Sequence, residues 1–234
     1  MTILVACGLK REAKIIERED FLVIPGGGDA AGLEAKLEAA IAGETVEVLL
    51  SVGIAGALDP SLKPGDIVIG TTPAPFPRES ERTVEKLRHL LPWAVVGTIV
   101  GSDTIAATIE QKRHLRATTG AIAVDMESHI AARIAERHAL PFAIIRTISD
   151  AADHVLPPAA LVGMNSDGSM ALGAVLKSLA RDPAQLPALI RTGRDAARAF
   201  QALQDTIESV ALSMHYSPKD SFFGAKPPAG PAIR

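Results

Sequence analysis

The sequence predicts one α/β domain built on a largely parallel sheet that helices cover on both faces. Strand-like and helix-like segments alternate along the 234 residues, and several strand candidates are apolar nearly throughout, as strands buried on both faces are. The chain is also even in composition, with no repeat and no break that would mark a linker.

Residues 2–6 are apolar and β-branched and read as the opening strand. Residues 11–18 carry Ala13, Ile15 and Ile16 among charges, the pattern of a short helix. A second strand over 21–24 ends at Pro25 and the glycines 26–28, which read as a strand-to-helix turn; an anion site on their N–H groups is the less favoured alternative. Asp29 suits the N-cap of a helix running to about residue 42, with Leu33, Leu37, Ala40 and Ile41 on one face. Residues 46–52, 66–70 and 95–100 read as buried strands, the first two separated by a loop rich in Gly and Pro.

Residues 108–116 form a charged helix, 121–124 a short strand and 127–138 a helix closed by Leu140 and Pro141. Residues 142–148 are a strand of near-continuous apolar character interrupted by Arg146. Helices over 170–179 and 187–214 should pack on the sheet, the second through Leu189, Ile190, Ala197, Phe200, Leu203, Ile207 and Val210. The domain is therefore expected over 1–216, followed by a flexible proline-rich tail over 217–234. Phe222, Phe223 and a slight positive charge leave peripheral membrane or partner contact open for that tail.

Composition excludes several classes. With 24 Lys and Arg against 27 Asp and Glu the net charge is −3, and no basic stripe supplies the attraction that dominates nucleic-acid binding. Cys7 is the single cysteine, so no internal disulfide forms and a cytoplasmic location is expected. No apolar run reaches the roughly 18–20 residues of a membrane crossing. Residues 4–7 resemble a lipoprotein cleavage box but lack the preceding charged and apolar segments. The six histidines show no metal-binding spacing, so no zinc is expected, and the serines no hydrolase elbow, which leaves a hydrolase triad without support.

Candidate chemistry gathers at strand ends, where ligands of α/β sheets sit. The small residues Gly53, Ile54, Ala55 and Gly56 follow a buried strand and admit close approach to the backbone. Asp125, Met126, Glu127 and Ser128 open a helix, where helix capping competes with a functional reading. Ser149 and Asp150 end the apolar strand, and partial desolvation there would let Asp150 hold a proton near neutrality. Glu12 is a third acid beyond the first strand.

The ordered strings Gly53-Ile54-Ala55-Gly56, Leu62-Lys63-Pro64-Gly65-Asp66-Ile67-Val68, Gly101-Ser102-Asp103, Val124-Asp125-Met126-Glu127-Ser128 and Arg146-Thr147-Ile148-Ser149-Asp150 carry a resemblance across residues 2–153. They resemble the purine nucleoside phosphorylase and methylthioadenosine/adenosylhomocysteine nucleosidase superfamily. Within it, Cys7-Gly8-Leu9-Lys10-Arg11-Glu12-Ala13, His129 after the Glu127 string, Leu156-Pro157-Pro158-Ala159-Ala160 and Gln185-Leu186-Pro187-Ala188-Leu189 are similar to the hopanoid-associated phosphorylases. That family is implicated in removing adenine from adenosylhopane.

The resemblance implies a three-layer α/β/α domain with a mixed, partly barrel-closed sheet, assembled as a homo-oligomer. It implies that Asp150 protonates or hydrogen-bonds N7 of the leaving purine, that Glu127, if ionised, grips the ribose hydroxyls and that Met126 packs on the sugar. Glu12 matches the acid that activates water in the nucleosidase branch. Asp125, Ser149, Ile105, Gly53, Ile54 and Ala55 would line the substrate, and Arg11 and Gly8 would lie at a phosphate site. Ile54 stands where both branches tend to have a serine, Ser51 where hexameric phosphorylases carry an arginine, and Ile105 about where nucleosidases put an aromatic residue.

The implied reaction is N-glycosidic cleavage of a purine nucleoside, most of all adenosylhopane with its triterpene group, by phosphorolysis or hydrolysis, with inorganic phosphate as an open co-substrate. A methylthioadenosine or adenosylhomocysteine nucleosidase and a non-catalytic nucleoside-binding protein are the alternatives.

Overall fold

The computed structural model describes residues 2–72, 78–163, 165 and 168–216; the proline-rich tail lies outside them. Seven strands carry the sheet: β1 (Thr2–Cys7), β2 (Phe21–Pro25), β3 (Val46–Ala57), β4 (Ile67–Thr71), β5 (Val95–Gly101), β6 (Ala123–Asp125) and β7 (Phe142–Asp150). The helices are α1 (Lys10–Ile16), α2 (Ala30–Gly43), α3 (Arg78–Leu90), α4 (Ile109–Thr119), α5 (Ser128–Arg137), α6 (Pro158–Leu161), α7 (Leu172–Arg181) and α8 (Leu186–Tyr216).

The strands lie in the order β2-β1-β3-β6-β5-β4-β7, and β7 returns to pair with β3, so five of them close a ring. Most pairings are parallel, as βα alternation dictates. Two are antiparallel, β3 with β6 and β4 with β7, because β6 and β7 enter the ring against the direction of those neighbours. This is the mixed, partly barrel-closed sheet that the resemblance implies, where alternation of elements alone pointed to a largely parallel one. Strand periodicity builds two cores. In β1, Ile3, Val5 and Cys7 face Ile16, Leu87, Leu203, Ile207 and Val210, whereas Leu4 and Ala6 face Leu33, Leu37, Ile130 and Ile134. Helices α1, α3 and α8 therefore cover one face and α2 and α5 the other.

Local chemistry sets the boundaries. Asp29 caps α2 by accepting from the Gly32 amide at 2.9 Å. Thr108 and Gln111 form a capping box at α4, which Gly120 closes at φ 69°. The amides of Gly26 and Gly27 bond to the carbonyls of Cys7 and Gly8 at 2.8 Å, so this glycine run is a turn.

Three expectations need correction. Helix α3 was not anticipated: only Val84, Leu87 and Leu90 break its run of charges, and the pattern is shorter than the windows that reveal helices. Strand β3 runs on through its small residues to Ala57, because β7 pairs with it along Leu49 to Gly56. The buried stripe of α8 starts late: Phe200, Leu203, Ile207 and Val210 are covered, but Ile190 is exposed and Ala197 faces outward.

Close packing inside the ring leaves no room for a methyl group at Gly70, where a Cβ would stand 2.5 Å from Ile99 Cδ1 and 3.0 Å from Ile144 Cβ. Ile144 Cβ is fixed by its backbone, so the clash is not relieved by a rotamer change. Gly70→Ala is expected to destabilise the protein by about 1–3 kcal/mol, read as a lower thermal midpoint with an unchanged oligomeric state.

Candidate active site

Strand β3 changes partner along one edge. It pairs with β1 from Val46 to Ser51 and with β6 at Gly56 and Ala57. Between those stretches the Ile54 amide is turned to a side chain, donating to Glu12 Oε1 at 2.8 Å. The other oxygen of Glu12 accepts from the amides of Gly8 at 2.8 Å and Leu9 at 2.7 Å. A carboxylate with three backbone donors is held in one place. Glu12 is buried, and desolvation raises its pKa from the ordinary carboxylate range against the opposing pull of those amides and of Arg146.

Glycines make the space these acids occupy. A Cβ at Gly8 would lie 2.6 Å from Glu127 Oε1, one at Gly53 2.7 Å from Glu12 Oε1, and one at Gly56 3.2 Å from Asp150 Oδ2. Gly8 and Gly53 therefore bring Glu12 and Glu127 to the β1–β3 strand ends, and Gly56 seats Asp150 farther along β3. A bulge aims Asp150 there: Ala55 pairs with Ile148 but Gly56 with Asp150, so Ser149 is the extra residue.

Arg146 is the counterion at the centre. It is wholly buried on β7, with Nη2 2.7 Å from Asp125 Oδ2, 2.7 Å from Ser51 Oγ and 3.7 Å from Glu127 Oε2. In the sequence this arginine has no role of its own, beyond interrupting an apolar strand and opening the string that ends in Asp150. An arginine inside such a strand must be paired, which was the available signal. Asp125 takes two parts: Oδ2 faces Arg146, while Oδ1 accepts from the Glu127 amide, the Ser128 amide and the Ser128 hydroxyl, fixing the start of α5. Capping and site-building are here the same act.

Burial pushes Glu127 up to about 8, with Asp125 and Glu12 adding to the rise and Arg146 opposing it. Glu127 therefore carries a proton near neutrality. Asp150 does not stand alone either. Its Oδ2 lies 2.5 Å from Lys112 Nζ of α4 and its Oδ1 accepts from the Ser149 hydroxyl at 2.8 Å. Lys112 was missed because nothing in its charged helix distinguishes it from its solvated neighbours.

The remaining predicted residues are placed as follows. Ile54 and Ala55 follow Gly53 on β3, while Met126 and Ile105 are half-buried beside β6 and before α4. Arg11 is exposed, its guanidinium 4.0 Å above the Phe200 ring of α8, so it turns toward α8 rather than toward Glu12. Cys7 is buried and its thiol is pushed far up by desolvation first and by Glu12 and Glu127 next, which rules out a thiolate role.

A family model of the phosphorylase superfamily matches residues 21–181. The chain belongs to the phosphorylase superfamily. This superfamily member is 29% identical over 133 residues to 5′-methylthioadenosine/S-adenosylhomocysteine nucleosidase of Staphylococcus aureus, a match that covers 46% of the chain and 58% of that relative. The chain thus spans less than two thirds of the curated relatives it matches. Its fold is similar to futalosine hydrolase of Helicobacter pylori, with a TM-score of 0.66 and 16% identity over 91% of this chain and 98% of that one. It is also similar to 5′-methylthioadenosine/S-adenosylhomocysteine nucleosidase from Neisseria meningitidis in complex with methylthio-immucillin-A, with a TM-score of 0.64 and 19% identity over 91% and 99%. These likenesses establish the α/β phosphorylase fold.

The raised pKa of Glu127 has a consequence for stability. Between the ordinary carboxylate value and about 8 the folded chain binds a proton that the unfolded chain has released, so stability falls as pH rises through that window. The thermal midpoint should therefore drop from pH 5 to pH 9, by about 2–4 °C for each kcal/mol lost. Glu127→Gln should flatten that slope; an equally steep profile in the variant would show that the proton sits elsewhere.

Proposed function

We propose that the protein cleaves the N-glycosidic bond of a purine nucleoside and releases adenine. The observation that carries this reading is the locked carboxylate of Glu12 beside Glu127, with Asp150 on the adjoining strand of the same ring. Breaking C1′–N9 builds positive charge on the ribose and negative charge on the base. Asp150 serves the base, directing a proton to N7 as the bond stretches. Glu127, carrying a proton, donates to one ribose hydroxyl and accepts from another, which orients the sugar. Met126 packs on the sugar face, and Ser149, Asp125, Ile105, Gly53, Ile54 and Ala55 shape the pocket.

Hydrolysis is the favoured form of the reaction. Glu12, fixed by three backbone amides, disfavours a phosphate dianion beside it but suits a water molecule whose proton it removes. Arg146 is committed to Asp125 and Ser51, and Arg11 to Phe200. The phosphate role expected for Arg11 and Gly8 therefore yields to nucleophile activation by Glu12.

The finer reading is an adenine nucleoside with an apolar 5′ group, adenosylhopane foremost. Its support is the segment after β7. Gly168 accepts from the Lys10 amide at 3.0 Å, tying this segment to the loop that holds Glu12. The same segment exposes Leu161, Val162, Met170, Leu172 and Leu176, and α7 buries none of its residues. An apolar surface at the site's edge fits a triterpene better than the small methylthio group. No helix among the described residues is long and apolar enough to cross a membrane. We further expect a homo-oligomer working without a metal or organic cofactor.

Adenine release from adenosylhopane and from 5′-methylthioadenosine, each with and without phosphate, tests substrate and nucleophile together. Faster turnover of adenosylhopane, independent of phosphate, is expected. Tight nucleoside binding without product would instead establish a binding protein. Asp150→Asn should lower kcat by roughly 10²–10⁴-fold with a smaller change in KM; an unchanged rate would remove Asp150 from the reaction.

A further inference from the structure

We propose that Lys112 holds the proton which Asp150 passes to the purine, so that the acid of this site is the buried Lys112–Asp150 pair. The inference rests on the reading of Asp150 at N7 given above.

Lys112 is 1% exposed, among the most deeply buried large side chains of the protein. All three of its N–H bonds are engaged: Asp150 Oδ2 at 2.5 Å, the Ala151 carbonyl at 2.7 Å and the His154 carbonyl at 3.0 Å. The carbonyls are neutral, which leaves Asp150 as the group that balances its charge. The neighbouring charges are committed elsewhere, with Arg116 of the same helix on Asp59 and the His154 ring on Asp195. A lone ammonium in this setting would cost several kcal/mol. A lysine serving only to staple the loop after β7 could be replaced by a neutral donor at no such cost.

The pair is a salt bridge, so Asp150 meets the nucleoside as the carboxylate partner of an ammonium. The base, however, needs a proton on N7. As C1′–N9 breaks, its electron pair moves into the purine, Lys112 Nζ passes its proton to Asp150, and the carboxyl so formed hands it on to N7. The carboxylate is restored and Lys112 is left as a neutral amine. The attacking water gives up one proton, and solvent returns one to Lys112, which balances the cycle.

The experiment compares Lys112→Met and Lys112→Arg on two substrates, 5′-methylthioadenosine and 4-nitrophenyl β-D-riboside. The second has a leaving group that departs as a phenolate and needs no proton. Both variants should lose roughly 10²–10⁴-fold in kcat on the nucleoside and stay close to wild type on the nitrophenyl riboside. Arginine keeps the charge and the donors but does not surrender a proton. Its failure to rescue separates proton supply from positioning, and it serves as the readout should Lys112→Met not fold. Wild-type turnover of the nucleoside by Lys112→Arg, or equal losses on both substrates, would overturn the inference. A wild-type protein that releases no adenine would instead overturn the parent reading of Asp150.

Discussion

The site depends on one buried guanidinium. Arg146 sits in the middle of β7 with no exposure to solvent, and Asp125, Glu127 and Glu12 all lie within its field. Taken singly, each carboxylate would cost several kcal/mol to bury, and so would the arginine. Together they are tolerable, and the remaining imbalance appears as the proton that Glu127 keeps near neutrality. Because β7 also pairs with β3 and β4, the residue that neutralises the acids lies on the strand that closes the ring. Fold closure and site electrostatics are therefore one constraint.

Two acids meet the chain in different ways. Glu12 is gripped by backbone amides from two segments, those of Gly8 and Leu9 and that of Ile54. Asp150 is placed by a bulge and by the ammonium of a helix that follows it neither in sequence nor in the sheet. Rigid anchoring suits the water-activating role proposed for Glu12. A charged neighbour suits the proton exchange proposed for Asp150.

Much of this was legible in the residues. The strand positions follow from apolar runs, and Asp29, Thr108 and Gly120 announce their helix ends as capping chemistry requires. The acids Glu12, Glu127 and Asp150 were found through ordered motifs at strand ends. Hidden were the features that depend on contacts distant in the chain. Antiparallel entry of β6 and β7 has no local signature, and neither does the 38-residue separation between Lys112 and Asp150. The raised pKa of Glu127 was hidden as well, since its main cause is burial, which no residue string displays.

The three amides on Glu12 bear on how such a protein can diversify. Since peptide groups rather than side chains provide the grip, Leu9 and Ile54 are free to change size or polarity without loosening it. The surroundings of the carboxylate can then be changed at those two positions while its anchor stays put. Sequence variation around the fixed acid is most readily absorbed there.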